Sequence, residues 1–343
     1  MLFRLPAALR LALALFGAGA ASYALTPSVR RLALRLGAID RPGGRRVHER
    51  PTPRMGGLAI VFGFSLSALL FCPRDTLAAL LPGALLIAAM GAVDDCFGLR
   101  PGVKLLLQLL AAALAVRGGL VIRVFLGLPL PGSLAVGLTV FWIVACTNAV
   151  NLIDGLDGLA CGVSALGALT MLLVSLLVSA PPAGLILAAL TGACLGFLPY
   201  NRCPAQIFMG DLGSQFLGYV LALASVLGAL KLHALFSFFV PLLALSVPLA
   251  DTAFAFFRRI LRRKNPFRAD KSHIHHRLLA LGLTQKQTVA LLYAVSSLLG
   301  LVAVLLAGTN ALARLLCLLP AATLSLAVFW PALRGNAKRK RTS

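Results

Sequence analysis

The sequence predicts an all-α polytopic membrane protein of about eleven transmembrane helices, and three observations predict it. Of its 343 residues 59% are hydrophobic and 12% charged, with a mean hydropathy of +0.93; soluble domains are about 45–50% apolar and about 25% charged. Apolar runs of roughly 20 residues, the length that crosses a hydrocarbon core of about 30 Å, recur from end to end. Basic residues collect on alternate connections, as they do in chains threaded through a bilayer. Residues 1–343 therefore read as a single transmembrane domain.

The apolar runs fall at 5–25, 55–72, 76–93, 103–117, 133–150, 159–178, 183–200, 214–232, 234–254, 288–308 and 312–331. The first carries Arg4 and Arg10, then Ala18-Gly19-Ala20, a pattern shared with cleavable leaders. Eight arginines follow between Arg30 and Arg54, and cleavage would leave them outside the cell. The run therefore reads as an uncleaved helix with its N-terminus outside. Pro241 and Pro248 predict a kink in the ninth run.

Alternation then places the main loops 28–54 and 255–287 on the cytoplasmic side, with 94–104, 201–213 and the basic tail 334–343. These segments hold 25 of the 32 Lys and Arg, a bias that the opposite orientation would invert. The expected location is a bacterial inner membrane, with the C-terminus cytoplasmic and the tail, Lys338-Arg339-Lys340-Arg341, lying on membrane lipids.

A net charge of +22 raises nucleic acid as a partner. In so hydrophobic a chain, positive cytoplasmic loops account for it first, and loops that hold anionic phosphates account for the rest. No nucleic-acid partner is expected. The seven cysteines are scattered without a C-x-x-C pair and mostly sit in apolar runs, so neither a disulfide framework nor a zinc site is predicted.

The carboxylates are few and oddly placed. Asp40, Glu49, Asp94, Asp95, Asp154, Asp157, Asp211 and Asp270 lie at or beyond cytoplasmic helix ends, and Asp251 lies near that face; only Asp75 is outside. Acidic groups gathered beside basic loops suit a divalent cation plus phosphates, because Mg²⁺ prefers oxygen ligands.

Four stretches could carry the chemistry. Gly91-Ala-Val-Asp94-Asp95 ends the third run with two carboxylates that repel each other unless a cation or proton compensates; a plain polar helix end is the bland alternative. Asn148-Ala-Val-Asn151-Leu-Ile-Asp154-Gly-Leu-Asp157-Gly158 ends the fifth, and its residues spaced by three share a helix face. Phe208-Met-Gly210-Asp211-Leu-Gly213-Ser214 opens the eighth, where Asp211 is either a metal- or anion-binding turn or a simple helix cap. Asp270-Lys271-Ser-His273-Ile-His275-His276-Arg277 fills the largest loop; with no cysteine nearby and Arg268, Lys271 and Arg277 around it, it reads as a phosphate cradle rather than a zinc site, a solvated basic loop being the alternative. A CDP-alcohol phosphotransferase motif is excluded, since Cys161-Gly162 stands where Ala-Arg is needed.

Together with Val47-His-Glu-Arg-Pro-Thr-Pro-Arg-Met-Gly-Gly57, these stretches resemble the polyprenyl-phosphate N-acetylhexosamine-1-phosphate transferase family, in family order over residues 47–276. The resemblance implies that undecaprenyl phosphate attacks the β-phosphorus of a UDP-N-acetylhexosamine, releasing UMP, with Mg²⁺ or Mn²⁺ required. It implies that Asp211 binds the metal, with Asp94 and Asp95 at the metal and the lipid phosphate. It assigns Asn151, Asp154 and Asp157 to the nucleotide and metal, Lys104 to the lipid phosphate, and Arg54, Lys271, His273, His275 and His276 to phosphates. A homodimer is also implied. The loop Asp-Lys-Ser-His-Ile-His-His is closer to the branch that uses UDP-GlcNAc than to the phospho-MurNAc-pentapeptide branch, which shows Pro-Leu-His-His-His. A transporter is the rival of another class, but transporters carry ionisable groups near the bilayer midplane rather than at one surface. Asp251 has no assigned role; Arg258, two turns on, is its candidate partner.

Overall fold

The structure, a computed structural model, describes residues 5–40, 51–229, 236–261 and 273–308. In chain order the helices are α1 (Ala7–Arg35), α2 (Gly57–Phe71), α3 (Arg74–Phe97), α4 (Pro101–Arg117), α5 (Gly132–Ile153), α6 (Leu159–Leu177), α7 (Pro181–Asn201), α8 (Gly210–Ala229), α9 (Phe236–Ala244), α10 (Ser246–Leu261), α11 (Ile274–Ala280) and α12 (Gln285–Gly308). Two short antiparallel pairings accompany them: β1 (Ile39–Asp40) with β2 (Thr52–Pro53), and β3 (Val124–Phe125) with β4 (Leu128–Pro129). Among the described residues, seven helices (α1, α3, α5, α6, α7, α8 and α12) are long and apolar enough to cross a membrane, and α2 is a shorter apolar one. The chain is an all-α polytopic membrane protein.

The helices follow the apolar runs, with three differences. Helix α1 continues past Pro27 to Arg35, so Arg30, Arg31 and Arg35 lie on a helix and not in a loop. The reason is a stripe of buried small residues, Ala14, Ala18, Ser22, Thr26, Val29 and Ala33, that keeps helical spacing well beyond the first run. The ninth run is two helices rather than one kinked helix. Pro248 has no N–H to give the Ala244 carbonyl, and the chain breaks at Leu245 between α9 and α10. The loop containing the histidines forms the short helix α11. The expected eleventh run 312–331, the tail 334–343, Lys271 and the loop residues 41–50 and 262–272 lie outside the described residues.

Helix α8 is the centre of the bundle. Leu212, Phe216, Leu217, Tyr219, Val220, Leu221, Ala222, Leu223 and Ala224 are all buried, and α2, α3, α5, α6 and α7 surround it. Glycines allow this closeness: a Cβ on Gly91 of α3 would collide with the Leu212 backbone, and one on Gly57 of α2 with Gly213. In lipid, where apolar surface gives little drive to associate, such small residues let backbones meet and dispersion contacts accumulate. Polar tips are satisfied within the core, with the Tyr219 hydroxyl donating to the Ala111 carbonyl at 2.9 Å and Trp142 Nε1 to Ser225 Oγ at 2.9 Å. Replacing Gly91 by Val should force α3 from α8 and cost about 1–3 kcal/mol of stability. A melting temperature in detergent equal to wild type would contradict this packing.

Candidate active site

Helices α3, α5 and α7 end, and α4, α6, α8 and α12 begin, at one edge of the bundle. There a cleft of about 320 Å³ is lined by Asp40, Arg54, Asp95, Asn151, Asp154, Asp157, Asn201, Phe208, Asp211, His276 and Gln285, among others. Five carboxylates thus face one space, and four of them are compensated in different ways.

Asp95, in the last turn of α3, sits against the first turn of α8. Its two oxygens accept from the Asp211 N–H at 2.9 Å and the Leu212 N–H at 3.2 Å, two of the amides a helix start leaves without partners. Gly210 makes this possible. It has φ +75°, and a Cβ there would overlap the Asp95 carboxyl. Asp94 accepts from the Leu99 N–H at 2.6 Å and meets the Lys104 ammonium. Lys104 Nζ also lies 2.7 Å from Asp211 Oδ2, so one cation bridges α3 and α8. The compensation expected for the Asp94-Asp95 pair is supplied by a lysine on one residue and a helix start on the other.

The Asp211 Oδ2 atom accepts a second bond, from Gln215 Nε2 at 3.0 Å, and Gln215 in turn meets Gln108. Sequence reading missed Gln108 and Gln215. The available signal was an uncharged polar residue four positions after a charged one, Lys104 or Asp211, inside an apolar helix. Asn151 Oδ1 lies 2.6 Å from the Ser214 hydroxyl, which is also 3.0 Å from the Gly210 carbonyl. Asp157 Oδ2 accepts from the Ala205 N–H at 3.0 Å, and Arg54 pairs with Asp40 at 3.0 Å.

Asp154 follows α5, and its carboxyl makes no hydrogen bond to the described residues. Burial, then the Asp211, Asp95 and Asp157 carboxylates, push its pKa up to about 8. Among the described residues it is the one carboxyl lining the cleft that has no hydrogen bond or ion pair.

The three histidine rings pack in series, His273 to His275 at 5.9 Å and His275 to His276 at 4.2 Å between centroids, yet each has a different environment. His273 Nδ1 is 2.9 Å from Asp251 Oδ2, while Asp251 Oδ1 accepts the Ile274 N–H at 2.7 Å, so Asp251 caps α11 and orients His273. That gives the unassigned Asp251 its place. His275 is buried against Gly155 with both ring nitrogens unpartnered. Burial, with His276 second, pushes its pKa down to about 3, so it is neutral at physiological pH. Of the three, His276 lines the cleft.

Among the described residues no three His, Cys, Asp or Glu side chains are grouped as a preformed metal cage. The donor set nonetheless fits Mg²⁺, which takes one or two carboxylates, keeps several waters and completes its shell with substrate phosphates. Asp211 and Asp154, both lining the cleft, provide such oxygens.

A carboxylate-rich cleft at one end of an apolar helix bundle defines a membrane enzyme site for phosphate chemistry. The chain belongs to glycosyl transferase family 4, whose model matches residues 77–229. It is 42% identical over 290 residues to the probable undecaprenyl-phosphate N-acetylglucosaminyl 1-phosphate transferase of Bacillus subtilis, covering 82% of this chain and 81% of the relative. It is 38% identical to the decaprenyl-phosphate N-acetylglucosaminephosphotransferase of Mycolicibacterium smegmatis, covering 82% and 79%. A phospho-N-acetylmuramoyl-pentapeptide-transferase of Desulforudis audaxviator is 39% identical over 59% of this chain and 71% of its own.

The pH dependence follows from Asp154. The unfolded carboxyl titrates near 3.8 and the folded one near 8, so the stability of the neutral form is full below pH 3.8 and is lost as pH rises towards 8. In EDTA, Asp154→Asn should melt above wild type by a margin that widens from about pH 4 and levels off above about pH 8. A margin independent of pH would show that Asp154 carries no such penalty.

Proposed function

We propose that the protein transfers GlcNAc 1-phosphate from UDP-GlcNAc to undecaprenyl phosphate at the cytoplasmic face of a bacterial inner membrane, with its N-terminus outside. The observation that carries the reading is Lys104 held between Asp94 and Asp211, beside a cleft also lined by Asn151, Asp154 and Asp157. This brings a cation and a polar compartment to one carboxylate, Asp211. The named relatives act on polyprenyl phosphates, which supports the acceptor. The described basic residues Arg30, Arg31, Arg35, Arg54, Arg100, Arg202, Arg258, Arg259, Arg277 and Lys286 lie on loops or helix ends at the cleft end of the bundle, which supports the orientation.

In the proposed reaction a phosphate oxygen of the lipid attacks the β-phosphorus of the UDP-sugar; the bond from that phosphorus to the bridging oxygen breaks, and UMP leaves with the electron pair. Such transfer needs alignment and charge neutralisation more than covalent help. A phosphomonoester with a second pKa near about 6 is already mostly dianionic at pH 7, so the acceptor needs no base. Lys104 holds the acceptor phosphate at the membrane edge, and Asp94 orients Lys104. Asp95 places Asp211 by fixing the start of α8. Asp211 and Asp154 would hold Mg²⁺ (or Mn²⁺), which would supply the positive charge that the pyrophosphate needs. Asn151 and Asp157 shape the nucleotide wall, and Arg54 and His276 face the phosphates. His273 and His275 support His276 from α11, and Lys271 joins them as a further phosphate contact.

The test is UMP release by purified protein in detergent, with undecaprenyl phosphate, Mg²⁺ and one donor at a time. UDP-GlcNAc should release UMP and EDTA should abolish it. Asp211→Asn should lower the rate about 100-fold or more while leaving expression intact. Release from UDP-MurNAc-pentapeptide alone would move the protein to the other branch, and no release from either donor by folded protein would reject the enzyme.

A further inference from the structure

Behind Asp211, away from the cleft, three carboxamides on three helices run in series. Gln215 Nε2 donates to Asp211 Oδ2 at 3.0 Å. Gln108 Nε2, on α4, donates to Gln215 Oε1 at 2.8 Å. Asn148 Nδ2, on α5, donates to Gln108 Oε1 at 2.8 Å and to its own helix's Val144 carbonyl at 2.8 Å. Gln108 Nε2 also reaches Asn148 Oδ1 at 3.3 Å, so these two amides pair reciprocally. Gln108 and Gln215 are fully enclosed, at 2% and 0% exposure, within apolar helices where unpaired polar groups are costly.

The direction of the chain does not depend on how each amide is assigned. The Val144 carbonyl accepts only, so it fixes which end of Asn148 is nitrogen. That end and its oxygen then fix Gln108, and Gln108 fixes Gln215. The end Gln215 presents to α8's first turn is therefore a donor, and its partner has to be an acceptor. Lys104 presents a second donor to the same oxygen. Two donors converging on one carboxylate oxygen, one anchored in α4 and one relayed from α5, restrict its side-chain rotation.

We propose that Gln215, Gln108 and Asn148 are positioning residues that hold Asp211 in the orientation its cation-binding role requires, acting through one another and touching no substrate. The proposal rests on the reading of Asp211 as the residue that holds the divalent ion. It explains why an apolar bundle retains three uncharged polar side chains at one depth. A merely structural network would contribute to folding only, whereas a positioning relay acts on the affinity of the site in front of it. Its links act as a unit, so breaking two is no worse than breaking the one nearest Asp211.

The experiment uses the full chain in detergent and the near-isosteric Gln215→Met, Gln108→Met and the double variant, with Asp211→Asn as reference. Mn²⁺ binding is measured by the loss of its free-ion magnetic resonance signal, and UMP release and melting temperature are measured alongside. Gln215→Met should weaken Mn²⁺ binding about tenfold and lower kcat at least as much, with KM for the lipid acceptor unchanged. Gln108→Met should act in the same direction by less, and the double variant should match Gln215→Met. Unchanged Mn²⁺ affinity and kcat in both single variants, with only a lower melting temperature, would overturn the relay. So would additive losses in the double variant. If Gln215→Met does not fold, Gln108→Met decides on the same readouts. Loss of Mn²⁺ binding in Asp211→Asn alone would leave the reading of Asp211 standing while the relay fails; retention of binding and turnover in Asp211→Asn would remove both.

Discussion

Repulsion among the carboxylates organises this protein. With ten acidic residues and a net charge of +22, the chain brings Asp40, Asp95, Asp154, Asp157 and Asp211 to the same small cleft. Placing them there is unfavourable unless each meets a cation or a set of N–H donors, because buried like charges interact far more strongly than in water. Most of the local architecture can be traced to that requirement. Arg54 offsets Asp40; Lys104 offsets Asp94 and Asp211; the start of α8 satisfies Asp95; an amide of the segment before α8 satisfies Asp157. What is left over, at Asp154, is the part of the charge that a bound cation would relieve.

The same requirement explains the packing beneath. Asp95 reaches the amides of α8 only because α3 and α8 approach at Gly91 and Gly210 leaves room for the carboxyl. The first loop is tied to this arrangement through its backbone: the Gly56 and Gly57 N–H groups donate to the Phe208 and Met209 carbonyls, and the Phe208 N–H donates to the Pro53 carbonyl. Glycines at 56 and 57 therefore do work separate from the arginines beside them, since a side chain at either would collide with Phe197, Phe208 or Gly213. Backbone pairing thus joins the first loop to the segment before α8, while side-chain charge joins α3, α4 and α8.

Much of this was legible in the sequence, and the unread part has physical causes. Apolar length located the helices, and the one-sided Asp residues located the functional end, because burial cost restricts both strongly. The continuation of α1 was hidden by Pro27 and three arginines, although its small-residue stripe carried on. The break at Leu245 was legible only as a proline kink, since local sequence does not say whether a helix bends or restarts. Charge reasoning grouped Asp94 with Asp95, but adjacent residues on a helix end point about 100° apart, so Asp95 takes the backbone amides of α8 while Asp94 takes Lys104 of α4. Gln108 and Gln215 escaped because uncharged amides carry no signal until their partners from other helices are known. The histidines read as one cluster and their rings do pack together, but within it they meet Asp251, Gly155 and the cleft in turn.

The central claim is that this carboxylate wall accepts a pyrophosphate only when a divalent cation is bound with it. Calorimetric titration of UDP-GlcNAc into wild-type protein, in Mg²⁺ and in EDTA, tests it directly. The account predicts measurable binding with Mg²⁺ and an affinity lower by about 100-fold or more in EDTA, since two negative partners would then meet uncompensated. Equal affinity in the two buffers would contradict it and would mean that the basic side chains alone hold the nucleotide.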